Sequence, residues 1–441
     1  MRFLSFYEMI SYYAETAPQS AALIAGSGKQ LNFYGLREAV ELRAARLKAE
    51  GKSCLGVLSD GSLACVIEIF AAVKAGLQVV MLDENASDEL LRQLIAYTDI
   101  DCLWGDPELC DELDPYLTKG VADGAGKLLF FTSGTTEHAK AVVLTEKSLM
   151  ASAYNGGALL PLSPQDKLLC MLPLGHVFGF VCGLLWGLSC GAAVALGRGA
   201  RHYHEDCLFF KPTTLSAVPM LWGFLLKFKA LNPELKLVLI GAGDCPKPLL
   251  EAANALGIKL CFGYGLTETS SGIALSLGEG DPYAMTICPD DRIRIAEDGE
   301  ILISAPTCLM EGYYKREADT EAALEDGWLL SGDLGFLDEE GKLHITGRKK
   351  EMLVLPDGTK VYLPEYEQAV RAVLGTDELL IREEDGVLTL VLGKAEPGDP
   401  AEVLEKLRPV LEERPRGQQL RRVVFEKEAL PRTATGKLRR W

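Results

Sequence analysis

Residues Lys236–Gly265 read KLVLIGAGDCPKPLLEAANALGIKLCFGYG. The run KLVLIGAG is apolar, short and rich in branched side chains. PLLEAANALG then carries a helical pattern, and IKLCFGYG is a second apolar run. A strand, a helix and a strand in that order make a crossover unit, in which two parallel strands share a covering helix. The pattern recurs upstream, where CLGVLSD (Cys54–Asp60) precedes CVIEIFAAVKAG and LQVVMLD. The fold class read from these units is α/β, with parallel or mixed sheets covered by helices.

Beyond about residue 283 the texture changes. DRIRIAEDGEILISA and DLGFLDEEGKLHITG alternate apolar and polar residues around Asp-Gly and Glu-Gly turns, which predicts hairpins and a β-rich subdomain. From Tyr366 the pattern predicts a helix, two short strands within GVLTLVLG, a helix over AEVLEKLRPVLEE and a last strand in RRVVFEKE. The expected division is a large domain over 1–347 and a small mobile α+β domain over 348–441.

The 441 residues include 48% apolar and 24% charged residues, so disorder and coiled coil are excluded. The net charge of −17 argues against a protein that coats nucleic acid. It leaves room for a local basic site. Thr346–Trp441 holds 18 Lys and Arg against 17 Asp and Glu, so the acidity belongs to the large region. Twelve cysteines are scattered singly, without metal-ligand spacing, which suits a reducing cytoplasm. The N-terminal stretch carries Glu8 and no unbroken apolar core, unlike a signal peptide. Leu168–Gly197 lacks Asp, Glu, Lys and Arg, yet contains Pro173, His176 and six glycines. It reads as a buried strand, loop and helix, not as a membrane span.

Four motifs carry candidate chemistry. In Leu128–Thr145 an apolar strand runs into Thr132-Ser133-Gly134-Thr135-Thr136, with Lys140 following. Hydroxyls, a glycine and a lysine suit phosphate oxygens, although a plain polar hairpin would look similar. In Cys261–Gly272 a strand ends at Gly263-Tyr264-Gly265, and Thr267 and Glu268 follow. Ligands of parallel sheets lie beyond such carboxyl ends, where an aromatic face can stack a purine and a carboxylate can hold Mg²⁺. In Gly327–Glu367, Asp333 lies near glycines and Arg348 precedes the small domain. The tail LPRTATGKLRR places Lys437 in a basic loop.

In this order the motifs resemble the adenylate-forming superfamily of acyl-CoA synthetases, peptide-synthetase adenylation domains and luciferases. The likeness covers nearly the whole chain. LNFYGLREAVELRAARL, CVIEIFAAVKAGLQVVMLDENAS, MLPLGHVFGF and GEILISAPTCLMEGYY are similar to further family segments. The resemblance implies activation of a carboxylic acid by MgATP to an acyl-adenylate, followed by transfer to a thiol.

By that resemblance Thr132, Ser133, Gly134, Thr135, Thr136 and Lys140 would bind the β- and γ-phosphates. Gly241, Ala242 and Gly243 would line the adenine and acyl pocket, with Tyr264 stacked on adenine beside Gly265. Thr267 would touch the α-phosphate, and Glu268 would hold Mg²⁺. Asp333 and Arg348 would bind the ribose, and Lys437 would bridge the carboxylate and α-phosphate. His176 would sit at the mouth of the acyl pocket. Lys350 matches the hinge about which the small domain turns, bringing Asp357-Gly358 to the thiol cofactor.

The chain departs from the family pattern in the phosphate loop, where Glu137, Ala139 and Ala141 replace Gly, Pro and Gly. Within the superfamily TGRKKEMLVLPDGTKVYLPEYE looks most like the long-chain fatty acyl-CoA synthetase branch, which points to a fatty or other hydrophobic acid and to CoA. Alternatives are an acyl-carrier protein as thiol acceptor, an aryl-acid CoA ligase, or a non-catalytic nucleotide-binding homologue. His202-Tyr203-His204 reads as surface, and Cys170, Cys182 and Cys190 read as small core residues.

Overall fold

A computed structural model describes residues 1–83, 86–120, 126–132, 140–243, 245–355 and 360–431, except the side chains at 200, 350, 354 and 360. Two large sheets form its centre. One has nine strands, ordered Thr286–Ile287, Ser271–Leu275, Lys259–Leu266, Leu237–Ile240, Thr214–Ala217, Lys167–Cys170, Ala193–Leu196, Ala21–Ile24 and Gln30–Asn32. The second has six, ordered Gly312–Tyr313, Ala141–Thr145, Lys127–Phe131, Gln78–Leu82, Cys54–Leu58 and Cys102–Trp104. The α/β class read from the crossover units is the class observed. Leu237–Ile240 and Lys259–Leu266 pair in parallel, with helix Lys247–Ala255 between them in sequence.

Local signals set the helix limits. Helix Leu63–Ala75 starts where the Ser62 side chain accepts from the Cys65 N–H, and ends at Gly76 with φ 88°. A side-chain cap and a left-handed glycine stop are the ordinary solutions to unpaired helix ends. The buried Glu68 on that helix is held by Arg43 at 2.6 Å.

The charge-free stretch from Leu168 to Gly197 is a strand, a loop and a helical run over residues 177–189, with a π-turn at Val181–Leu185. Among the described residues no helix is long and apolar enough to cross a membrane.

The expected hairpins form a five-stranded sheet. Arg292–Ile295 pairs with Glu300–Ser304 across the Asp298-Gly299 turn, and Trp328–Leu337 pairs with Leu343–Arg348. Residues 355–423 bury a second apolar cluster, which includes Leu363, Tyr366, Val370, Leu390 and Val423.

Two details there correct the reading. GVLTLVLG contributes one strand, Val387–Leu392, whose partner Leu379–Glu384 was hidden by its charged end Arg382-Glu383-Glu384. The helix over AEVLEKLRPVLEE is two, Pro400–Lys406 and Arg408–Glu412. Pro409 has no N–H to continue the helical ladder, and the break falls just before it.

Candidate active site

Strand Lys259–Leu266 runs past its parallel partner Leu237–Ile240, and its carboxyl end pairs antiparallel with Ser271–Leu275 in the same sheet, Gly265 facing Gly272. A Cβ at Gly265 would lie 1.6 Å from the Ser271 carbonyl oxygen, so a side chain there would be incompatible with this crossing. The intervening Thr267–Thr269 turn is fastened by the Leu266 N–H, which donates to Thr269 Oγ1 at 3.1 Å. It carries Thr267 and Glu268.

The adjacent strand Leu237–Ile240 ends in Gly241-Ala242-Gly243, where Ala242 holds a left-handed φ of 60°. A Cβ at Gly241 would lie 2.8 Å from the Phe178 ring. The two loops read as nucleotide-contacting therefore leave neighbouring strands side by side, with glycines where the Phe178 ring and the Ser271 backbone pack too closely for a side chain.

Two clusters of polar side chains flank them. In the first, Asp333 is 3% exposed. Its Oδ2 accepts from the Tyr264 hydroxyl at 2.8 Å, and its Oδ1 lies 3.0 Å from Arg348 Nε. Burial first, and the Asp333 charge second, push the Tyr264 phenol far above its ordinary range, so it stays a donor. Tyr264 was expected to offer only its ring face; its hydroxyl also anchors the carboxylate assigned to ribose.

In the second cluster the Thr132 N–H donates to the Lys140 carbonyl at 3.0 Å, and the Lys140 N–H donates to Thr132 Oγ1 at 3.2 Å. These bonds join the two ends of the segment read as a phosphate loop. The Lys140 ammonium lies 3.0 Å from Asp319 Oδ1 and 4.4 Å from the centre of the Tyr313 ring. The Tyr313 hydroxyl donates to Glu268 Oε1 at 2.7 Å.

His176 is exposed and opens helix Val177–Phe180 without a side-chain cap. Lys350 lies in the short turn Lys349–Glu351. Ser133, Gly134, Thr135, Thr136, Glu137, Ala139, Gly358 and Lys437 lie outside the described residues. His202 pairs with Glu205 at 3.2 Å, and among the described residues no group of three potential ligands could hold a metal ion by itself.

Sequence reasoning matched GEILISAPTCLMEGYY to a family segment but assigned no role to Tyr313 or Asp319. Their signal was position: Tyr313 is the first tyrosine of that segment's closing Gly-Tyr-Tyr, and Asp319 falls just after it.

The residues fit a magnesium nucleotide. Among the described residues Glu268 keeps its second carboxylate oxygen without a partner. Lys140 supplies positive charge. A hard cation takes carboxylate oxygen, and a phosphate takes the ammonium.

This fold and arrangement define the class of adenylate-forming enzymes. The model of the family "AMP-binding enzyme" matches residues 119–314. The 2-succinylbenzoate–CoA ligase of Bacillus velezensis is 30% identical over 481 residues, covering 97% of this chain and 95% of that protein. Its counterpart from Listeria monocytogenes is 27% identical, covering 96% of each. The chain belongs to the AMP-binding enzyme family, as an AMP-forming acid–thiol ligase. In fold it is similar to the O-succinylbenzoate coenzyme A synthetase of Bacillus subtilis in complex with AMP, with TM-score 0.83, 24% identity, and coverage of 98% of this chain and 96% of that one.

Proposed function

We propose that the protein joins an aromatic carboxylic acid to CoA at the expense of ATP, with 2-succinylbenzoate the first acid to test. The observation that carries this reading is the end-to-end match to 2-succinylbenzoate–CoA ligases. It moves the substrate from the fatty acids suggested by the segment near Arg348 to the aryl-acid alternative, and it favours CoA over a carrier protein as acceptor. The apolar cavity walled by Val181, Cys182, Trp186, Leu239 and Gly272 measures about 20 Å³, room for about one water, so it does not distinguish an aryl acid from an alkanoic one.

In the first half-reaction a carboxylate oxygen attacks the α-phosphorus of ATP, and the bond to pyrophosphate breaks. In the second a thiol attacks the acyl carbon, and AMP leaves. The protein forms no covalent bond in either step, so positioning and charge neutralisation carry the rate. Asp333, held by Tyr264 and Arg348, would grip the ribose hydroxyls. Thr132 and Lys140 would hold the outer phosphates, and Thr267 the α-phosphate. Glu268 would hold Mg²⁺, which screens the charge that builds on the phosphates. His176, Gly241 and Gly243 would border the acid, while Ser133 to Thr136, Lys437 and Gly358 keep the roles the family pattern gives them. The 348–441 region would turn about Lys350 between the two steps.

The test is pyrophosphate release across a panel of acids, with CoA and a phosphopantetheinylated carrier protein as rival acceptors. Turnover of 2-succinylbenzoate with CoA is expected. Turnover confined to alkanoic acids beyond about C8, with no aryl acid used, would overturn the reading.

A further inference from the structure

Tyr313 touches both charged groups on the phosphate side of the site. Its hydroxyl donates to Glu268 Oε1 at 2.7 Å, and its ring faces the Lys140 ammonium at 4.4 Å. Glu268 and Lys140 come from different sheets, and Tyr313 spans them.

The tyrosine is itself fixed. Gly312 and Tyr313 pair with Val143 and Val142 at the edge of the six-stranded sheet. The Tyr313 N–H donates to Thr320 Oγ1 at 2.9 Å. Three residues earlier, the Met310 N–H donates to the Glu268 carbonyl at 2.8 Å, which tethers the backbone of the Thr267–Thr269 turn to the same segment.

A donor on one carboxylate oxygen fixes the rotamer and leaves the other oxygen for a cation, as partners of metal ligands commonly do. An aromatic face attracts an ammonium and limits where it can swing. Lys140 is further drawn by Asp319, which Arg316 braces at 3.4 Å.

We infer that Tyr313 is a positioning residue for adenylation: its hydroxyl sets Glu268 to receive the divalent cation, and its ring seats Lys140 for the phosphates. The inference rests on the proposed roles of Glu268 and Lys140.

The test is Mn²⁺ binding in the presence of ATP, followed by electron paramagnetic resonance, together with calorimetry of ATP binding without metal. The full chain and its Tyr313→Phe, Tyr313→Leu and Glu268→Gln variants are compared, with circular dichroism to show that each is folded. Tyr313→Phe keeps the ring and loses the hydroxyl. It is expected to weaken Mn²⁺ binding about tenfold while leaving metal-free ATP binding within about twofold. Tyr313→Leu loses the ring as well, and is expected to weaken metal-free ATP binding about threefold more. Native Mn²⁺ affinity in Tyr313→Phe, with that affinity lost in Glu268→Gln, would overturn the role of Tyr313 alone. Native Mn²⁺ affinity in Glu268→Gln would overturn the metal role of Glu268 and this inference with it.

Discussion

Arg348 and Asp333 stand opposite each other on paired strands, Nε 3.0 Å from Oδ1. The strand Trp328–Leu337 holds the carboxylate at 3% exposure, while the Arg348 side chain remains half exposed. A buried carboxylate is stable only while it is hydrogen-bonded, and the second bond comes from Tyr264. On the proposed reading the pair would be a preformed acceptor for a diol, since its orientation is set by contacts within the protein.

Asp333→Asn should test that relationship. Losing charge-assisted bonds removes about 1.5–3 kcal/mol, or about 10- to 100-fold in kcat/KM for ATP. ATP–pyrophosphate exchange measures it. A value unchanged from the parent would deny Asp333 a part in nucleotide binding.

Asp319→Asn should act in the opposite direction. Asp319 occupies Lys140, and the lysine and Arg316 hold its carboxyl below the usual range. On the proposed reading, incoming phosphate would compete for the same ammonium. Exposed pairs are weak, so the expected fall in KM for ATP is modest, about two- to fivefold. A rise in KM would mean that Asp319 helps to present the lysine.

Gly265→Ala should cost folding stability. With the Ser271 oxygen 1.6 Å from the new methyl, the strand pair must part. The expected loss is at the upper end of the about 1–3 kcal/mol seen for overpacking, read from urea denaturation. A variant as stable as the parent would show that the crossing can shift.

Asp291 predicts a pH dependence. Burial, aided by Asp290 and opposed by Asn155 and Arg2, raises its carboxyl from 3.8 to about 7. Its Oδ2 lies 3.4 Å from Asn155 Nδ2, while Oδ1 is buried without a hydrogen bond. The folded state binds the proton more tightly than the unfolded one, so stability falls as pH rises from about 4 to about 7. The full cost, at most about 4 kcal/mol, applies above that. Asp291→Asn should flatten this slope and raise the melting temperature at pH 8. The same slope in the variant would assign it to another group.

The fold was legible where pattern is local. Branched apolar runs around Lys247–Ala255 signalled parallel strands, and the Asp298-Gly299 turn signalled a hairpin. Asp333 and Arg348 were read by resemblance as binding one ribose, and the structure sets them side by side; the ribose role itself is a proposal. What escaped notice depends on distant partners. Tyr313 and Glu268 are 45 residues apart, and no periodicity links a strand edge to a turn on another sheet. Asp290-Asp291 looks like a solvated acidic pair in sequence, yet Asp291 is 7% exposed. Leu379–Glu384 lacks a full apolar stripe because its last three residues reach past the core.

All twelve cysteines are free, and burial raises every one of their thiols, Cys182 to about 11 and Cys170 to about 12. A thiol reacts as the thiolate. The acyl-adenylate is a mixed anhydride that would acylate any thiolate within reach, and Cys182 lines the apolar cavity behind the Tyr264 strand. Held protonated, it makes a poor nucleophile. The enzyme can thus generate an acylating agent in its own interior and still reserve the acyl group for the acceptor that diffuses in.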